Sequence, residues 1–126
     1  MTDPASHSSE ELRTTSLCSL VENVVKTAEY YRDVLGFKFD RYWGEPTCFV
    51  ILRRDSIEIS LSRPGPSCSP LPNRKSHPDA PWDAYVWVTD LGSLREELQS
   101  KGARMIRGPE DTFSHTREIE IEDCNG

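Results

Sequence analysis

The residues with the widest chemical range in this chain are four cysteines and three histidines. The cysteines are Cys18, Cys48, Cys68 and Cys124, with no C-x-x-C pair among them and no histidine at a short spacing. The ligands of a zinc site, and the two thiols of a redox dithiol, are normally only a few residues apart in sequence, because they must converge on one point. We therefore expect free thiols, mostly buried, and neither a zinc knuckle nor a redox centre.

The histidines are scattered along the chain and do not supply a metal site. His7 lies in the N-terminal tail, His77 in a proline-rich stretch, and His115 just before the final predicted strand. The sequence also contains no P-loop, no dinucleotide fingerprint and no Ser-His-Asp or Cys-His arrangement. None of those chemistries is predicted.

The charge balance excludes two classes of partner. Fifteen basic against 21 acidic residues give a net charge of −6. A protein that binds a phosphate backbone normally carries an excess of basic residues, so we expect no nucleic-acid partner. The longest apolar runs, Cys48 to Leu52 and Ala84 to Val88, have five residues each, whereas about twenty are needed to span a bilayer. Residues 1–13 are polar and lack the apolar core of a signal peptide, so we expect a cytoplasmic protein with no membrane partner.

The chain divides into a tail and one domain. Its 126 residues suffice for a single core, with a flexible polar tail at 1–13 and a domain at 14–126. Within that domain, Arg63 to Trp82 holds six of the nine prolines and no periodic pattern, which is typical of a linker. The linker separates a first module, 14–62, from a second module, 83–126.

The two modules repeat one pattern. A short strand, Ser16 to Val21 or Asp83 to Val88, leads to a helix that Asn23 caps in the first module and Asp90 or Ser93 caps in the second. Each helix ends at a glycine, and the spacings from Val21 to Gly36 and from Val88 to Gly102 are 15 and 14 residues. The apolar positions of the two helices are Val24, Ala28, Tyr31 and Leu35 in the first, and Leu91, Leu94 and Leu98 in the second.

After each glycine the period changes to two, which predicts strands. Each module is therefore β-α-β-β-β, except that the last strand of the second module is missing from this chain. The sequence predicts an α+β fold in which two βαβββ modules form a curved mixed sheet around a cleft. The predicted strands are Lys38–Tyr42, Thr47–Arg53 and Ser56–Ser62, with a tight turn at Arg54-Asp55, followed in the second module by Arg104–Arg107 and Glu118–Glu122.

Four segments carry a resemblance to a known family: VENVVKTAEYYRDVLGF from Val21, LRRDSIEISL from Leu52, VTDLGSLREELQSKGA from Val88 and REIEIEDCNG from Arg117. Together they resemble the glyoxalase, bleomycin-resistance and extradiol-dioxygenase superfamily, over residues 16–126. The resemblance implies the curved sheet and cleft, with helices on the convex side and commonly a homodimer. The closing D-P-x-G-N turn of the family is replaced here by Asp123-Cys124-Asn125-Gly126.

The resemblance also implies where metal ligands would lie. The first-strand positions are Ser16 and Asp83, and the last-strand position of the first module is Glu58. A serine is a poor substitute for the usual strong ligand, and a catalytic site needs three or four. We expect no metal, with Glu58 and Asp83 as the candidates if one divalent ion is bound.

Strand alternation then assigns the cleft. If Ser16 and Asp83 point into it, Cys18, Leu20, Tyr85 and Trp87 do so as well, while Ala84, Val86 and Val88 pack under the second helix. The resemblance implies an aromatic residue of the cleft at the position of Phe49. Trp43 and Trp82 are predicted near the rim of the cleft, and Phe113 on a loop beside the rim. The predicted ligand-binding residues are Phe49, Glu58, Asp83, Tyr85, Trp87 and Phe113.

An aromatic cleft with carboxylates suits a flat ligand that is cationic or aromatic. We expect a small-molecule binding and sequestering protein of the bleomycin-resistance type, without a cofactor. Two alternatives stay open: a metal-dependent glyoxalase-type lyase or ring-cleaving dioxygenase, and a structural or regulatory dimer whose aromatics fill an interior or a subunit contact.

Overall fold

The computed structural model describes residues 11–12, 15–65, 82–112 and 116–125. These residues form a small α+β arrangement with two sheets, one ordered β1-β4-β3-β2 and the other β5-β6. The predicted fold class is confirmed at this level. The elements are β1 (Leu17–Leu20), α1 (Val24–Asp33), β2 (Tyr42–Trp43), β3 (Phe49–Arg54), β4 (Ile57–Ser62), α2 (Leu91–Ser100), β5 (Arg104–Asp111) and β6 (Arg117–Glu122).

The first sheet forms around a hairpin. β3 and β4 are antiparallel, and β1 lies parallel to the other side of β4. Arg54 pairs with Ile57, so the two loop residues are Asp55 and Ser56, one position beyond the predicted turn. Asp55 takes a φ of +53°, a left-handed conformation that aspartate tolerates better than most residues.

The predicted strand Lys38–Tyr42 is interrupted. Lys38 forms an isolated bridge with Arg53, and pairing resumes only at Tyr42 opposite Val50. Phe39 and Tyr42 both pack against the core, with ring centroids 5.0 Å apart. Side chains three residues apart lie on opposite faces of a regular strand, so burying both rings requires a break in the alternation.

The core lies between α1 and one face of the first sheet. Alternate residues of β3 and β4 point to this face and are buried: Val50, Leu52, Ile59 and Leu61. Val24 and Ala28 of α1 cover them. Asn23 caps the helix as predicted, its Oδ1 accepting a hydrogen bond from the backbone N–H of Lys26 at 2.9 Å, and Gly36 follows with a φ of +76°.

The second module contains α2 and the β5–β6 hairpin. Of the two predicted caps, Asp90 is used: its carboxylate accepts from the backbone N–H of Ser93 at 3.1 Å and from the Ser93 hydroxyl at 2.8 Å. Leu98 is buried, while Leu91 and Leu94 are half-buried. Gly102 ends the helix with a φ of +85°.

Residues 83–88, predicted as a strand, are not one. Val86 and Val88, predicted to pack under α2, are 44% and 40% exposed. The first module gives the physical reason, because its first strand is held by parallel pairing with β4. Among residues 82–112 and 116–125 there is no strand in the place equivalent to β4, so 84–88 form no ladder with a described strand there.

Polar contacts join the two modules. The hydroxyl of Tyr31 on α1 donates to Asp123 at 2.8 Å, and the side-chain amide of Asn125 donates to Thr27 at 3.1 Å. Just beyond the C-terminal end of α1, where it donates to the Leu35 carbonyl, Arg54 meets Glu97 of α2. The closing turn and α2 are thus both held against the first module.

Several predicted segments lie largely or wholly outside the described residues, including most of the tail and linker, with Cys68, Phe113 and the three histidines. Within the described ranges, no helix is long and apolar enough to cross a membrane.

Candidate functional site

The first sheet has a face that neither described helix covers. It lies opposite α1, and strand register brings to it residues from all four strands. We call it the open face. Its residues are Ser16, Cys18 and Leu20 at β1, Trp43 of β2, Phe49, Ile51 and Arg53 of β3, and Glu58, Ser60 and Ser62 of β4.

Aromatic rings form one end of the open face. Trp43 and Phe49 are cross-strand partners, with ring centroids 5.6 Å apart and an interplanar angle of 60°. Both are half-buried. The guanidinium carbon of Arg41 lies 4.5 Å from the centre of the Trp43 ring, a cation–π contact that leaves the guanidinium N–H groups able to donate beyond the ring.

Small polar side chains form the middle. The hydroxyls of Ser16 and Ser60 are 3.1 Å apart, and the Cys18 thiol lies 3.8 Å from the Ser62 hydroxyl. Cys18, Cys48 and Cys124 are free and exposed, so the expectation of mostly buried thiols is wrong for all three. For Cys18 the reason is its position, since alternation along β1 turns it away from the core.

Glu58 is paired with a cation from its own sheet. Its Oε1 accepts a hydrogen bond from Nε of Arg53, directly across the hairpin, at 3.1 Å. The carboxylate is 25% exposed and the guanidinium 54%. A metal ion that bound both carboxylate oxygens of Glu58 would have to displace this partner.

Asp83 acts electrostatically on a side chain of α1. Burial raises the pKa of Tyr31, followed by the charge of Asp123 and its hydrogen bond, with a smaller effect from the charge of Asp83. Tyr31 belongs to the helix on the opposite side of the first sheet from Glu58.

The described residues accordingly do not fit a metal centre. Ser16 bonds to Ser60, and Glu58 bonds to Arg53. In the described part of the chain, no three His, Cys, Asp or Glu side chains are grouped so that they could hold an ion.

Tyr85 and Trp87 form a second aromatic group. Their ring centroids are 5.4 Å apart at 61°, and Trp87 is 75% exposed. The Tyr85 hydroxyl donates to the Glu118 carboxylate, which raises the pKa of Tyr85 and lowers that of Glu118. Ring contacts thus divide the predicted cleft residues into one group at Phe49 and another at Tyr85 and Trp87.

Sequence reasoning missed Arg41 and Arg53 and placed Trp43 only at the rim. Arg53 could have been found, because alternation from Phe49 through Ile51 brings it to the face of Glu58. Arg41 could not have been found, because the strand at residues 38–43 is interrupted and alternation does not predict on which face of the sheet Arg41 lies.

Comparison with known proteins identifies the class. A sequence model of the glyoxalase/bleomycin resistance protein/dioxygenase superfamily matches residues 15–126. The chain belongs to this superfamily. No curated protein matches it in sequence.

Solved structures support the same fold. TioX from Micromonospora sp. ML1 has a TM-score of 0.67 at 15% identity, covering 90% of this chain and 92% of that one. A superfamily member from Sphaerobacter thermophilus DSM 20745 has a TM-score of 0.65 at 16% identity, with 91% of each chain covered. A glyoxalase/bleomycin resistance protein/dioxygenase from Nocardioides has a TM-score of 0.62 at 15% identity, covering 92% of this chain and 79% of that one. At these identities the likeness concerns the fold alone.

Proposed function

We propose that this protein binds a flat aromatic small molecule on the open face and holds it without transforming it, in the manner of bleomycin-resistance proteins. The observation that carries the proposal is the half-buried Trp43–Phe49 pair on a sheet face that neither described helix covers. Two aromatic rings side by side on a sheet face give a flat ligand a large contact area at a small entropic cost.

The polar groups of the open face define the rest of the ligand. Arg41 and Arg53 contribute two positive charges there and Glu58 one negative charge, already paired. A cationic ligand would therefore meet a net positive site. We propose instead an aromatic ligand with anionic or hydrogen-bond-accepting substituents, which the two guanidinium groups can reach.

We propose sequestration rather than catalysis because polar side chains of the open face already have hydrogen-bond partners within the sheet. The carboxylate of Glu58 and the hydroxyl of Ser16 each already have a partner within the sheet. General acid–base chemistry needs a group that can reach and exchange a proton with the substrate. On the open face, binding is the simpler role.

Calorimetric titration with three probes of one ring size tests the proposal: naphthalene sulfonate, naphthol and naphthylmethylammonium. We expect affinity to fall in that order, because Arg41 and Arg53 favour the anion. Phe49→Leu should weaken binding of the sulfonate about tenfold, since it removes a ring while keeping an apolar side chain. Trp87→Leu is the matched control and should leave affinity unchanged. Equal binding by Phe49→Leu, or a preference for the cation, would count against this site.

A further inference from the structure

A cavity of about 310 Å³ lies where the two modules meet, beside the Arg54–Glu97 ion pair. Its walls come from the loop after α1, the β3–β4 turn and α2. Ligand pockets in proteins start at about 300 Å³, so this one suits a small metabolite. We call it the junction cavity. The lining residues are Gly36 and Lys38, Arg54 and Asp55, and Glu97 and Lys101.

The junction cavity lies on the opposite side of the first sheet from the open face. Arg53 and Arg54 are consecutive residues of β3, so their side chains point to opposite faces. Arg53 bonds to Glu58 on the open face. Arg54 instead bonds to Glu97 of α2 and to the loop that follows α1. A ligand in the junction cavity would therefore not touch the aromatic rings of the open face.

Five of the six lining residues are charged, three as cations and two as carboxylates. One carboxylate is already engaged, because Glu97 accepts hydrogen bonds from Arg54 at 2.9 Å and from the Lys101 ammonium at 3.4 Å. The side chains of Lys38 and Asp55 make no hydrogen bond or ion pair with any residue that the structure describes. Lys101 uses one of its three N–H donors. Two ammonium groups and one carboxylate are thus left for a ligand.

Both helices end beside this cavity, and the C-terminus of a helix disfavours anions. Carbonyl groups at these ends are already hydrogen-bonded, however. The Leu35 carbonyl accepts from Arg54 at 2.8 Å. The Leu98 carbonyl accepts from the backbone N–H groups of Lys101 at 3.2 Å and Ala103 at 2.9 Å. The side-chain charges therefore decide the sign of the ligand, and they favour an anion.

The backbone around the cavity is fixed by contacts within the protein. Lys38 exchanges two backbone hydrogen bonds with Arg53, both of 2.8 Å. Arg54 is held by both carboxylate oxygens of Glu97. Little backbone ordering is therefore needed when a ligand binds, which lowers the entropic cost of binding.

From these observations we infer that the junction cavity binds a small phosphate monoester that carries hydroxyl groups. The ammonium groups of Lys38 and Lys101 donate charge-assisted hydrogen bonds to the phosphate oxygens. The Asp55 carboxylate accepts hydrogen bonds from the hydroxyl groups. At roughly 30 Å³ for each water molecule, a cavity of about 310 Å³ holds about ten waters, which leaves room beside the phosphate group for the rest of the ester.

Nuclear magnetic resonance titration of the isotope-labelled full chain tests this inference, with glycerol phosphate, inorganic phosphate and glycerol as probes. Ionic strength is held constant, because salt screens exposed charges. We expect glycerol phosphate to cause saturating shifts of the backbone amides of Gly36, Lys38, Asp55 and Lys101. Inorganic phosphate should bind about fivefold more weakly, because it lacks the hydroxyl groups that Asp55 accepts from. Glycerol alone should cause no saturating shift.

Three charge variants and one control locate the site. Lys38→Gln and Lys101→Gln should each weaken binding of glycerol phosphate about fivefold, since each removes a charged donor. Asp55→Asn should strengthen binding of inorganic phosphate about twofold or more, because it removes a negative charge from the lining and asparagine tolerates a positive φ. Lys26→Gln removes the same charge from an exposed position of α1 outside the lining, and should leave binding unchanged.

Several results would overturn the inference. Shifts that do not saturate, or that spread equally over exposed lysines elsewhere, would indicate a general effect of ions. Equal weakening by Lys26→Gln would reduce the effect to net charge. Equal affinity for inorganic phosphate and glycerol phosphate would contradict a site for a monoester. Phe49→Leu should leave glycerol phosphate binding unchanged, so failure of this site and failure of the open face are distinguishable.

Discussion

Arg54 and Glu97 form a bidentate ion pair, with Nη1 to Oε2 and Nη2 to Oε1 both at 2.9 Å. The same Nη1 donates to the backbone carbonyl of Leu35 at 2.8 Å. One guanidinium therefore joins the end of β3, the loop after α1 and the middle of α2. A Cβ at Gly36 would lie 2.8 Å from that Nη1, so the close approach also depends on glycine at 36.

Glu97→Gln should lower the free energy of unfolding by about 1 kcal/mol or less at neutral pH, because both groups are partly exposed. The hydrogen bond and charge of Arg54 lower the pKa of Glu97. The stabilisation is therefore present above the carboxyl's unfolded value, about 4.3, and is lost as pH falls through the folded pKa. Urea unfolding of parent and variant at pH 7 and in the acid range measures this. A difference that persists unchanged in acid would contradict it.

Tyr31→Phe should lower the free energy of unfolding by about 1–2 kcal/mol, because it removes a part-buried hydrogen bond to Asp123. Burial and the Asp123 charge raise the pKa of Tyr31, so its contribution is complete below about pH 10 and declines as pH rises further. The difference in unfolding free energy between the parent and Tyr31→Phe, measured by urea unfolding, should therefore decrease at alkaline pH. Tyr42→Phe is the control, since Tyr42 makes no hydrogen bond to Asp123. A similar loss of unfolding free energy in both variants would refute the specific role of Tyr31.

Gly108→Ala and Gly102→Ala separate backbone strain from steric clash. Both glycines have positive φ, +91° and +85°. A Cβ at Gly108 would lie 2.4 Å from the Glu118 carbonyl oxygen, whereas one at Gly102 would meet nothing within 4 Å. Gly102→Ala should lower the free energy of unfolding by about 1–2 kcal/mol, because of the positive φ alone. Gly108→Ala should lower it by about 3 kcal/mol or more, because the steric clash is added. Equal urea midpoints for the two variants would show that the β5–β6 hairpin adjusts freely.

Glu58→Gln should leave metal content unchanged. The parent, incubated with nickel, zinc, manganese or iron(II) and freed of loose ions, should retain well under one equivalent by elemental analysis. The reason is that Arg53 already pairs with Glu58, and that no three His, Cys, Asp or Glu side chains of the described residues are grouped so that they could hold an ion. One equivalent held by the parent and lost in Glu58→Gln would favour the metal-dependent enzyme over the binding protein.

The sequence predicted best where local patterns decide the structure. Asn23, Gly36 and Gly102 act at the ends of helices as expected, because caps and positive-φ glycines depend on a few neighbouring residues. The buried alternation of β3 and β4 was predictable for the same reason. Residues 83–88 show the opposite case, since their alternating pattern fits a strand but strand formation needs a partner that the pattern does not contain.

The candidate site was less predictable than the fold. Phe49 and Glu58 share a face because of the register between β3 and β4. From the sequence, both residues are assigned to the cleft by the family resemblance. That Glu58 would bond to Arg53 depends on pairing between strands, and that Tyr31 would bond to Asp123 depends on contact between the modules. Such relationships require tertiary structure, because no spacing within one segment encodes them.

The contact between Asn125 and Thr27 has a consequence for biosynthesis. Thr27 is buried on α1, and its hydroxyl meets the amide of a residue 98 positions later. During translation the first module can assemble its core as soon as β4 emerges, but this hydroxyl waits until residue 125 has been made. We therefore expect a nascent chain halted before residue 123 to carry a folded first module whose α1 still exposes Thr27 and Tyr31. Docking of the turn at 123–125 would follow as a separate, later step.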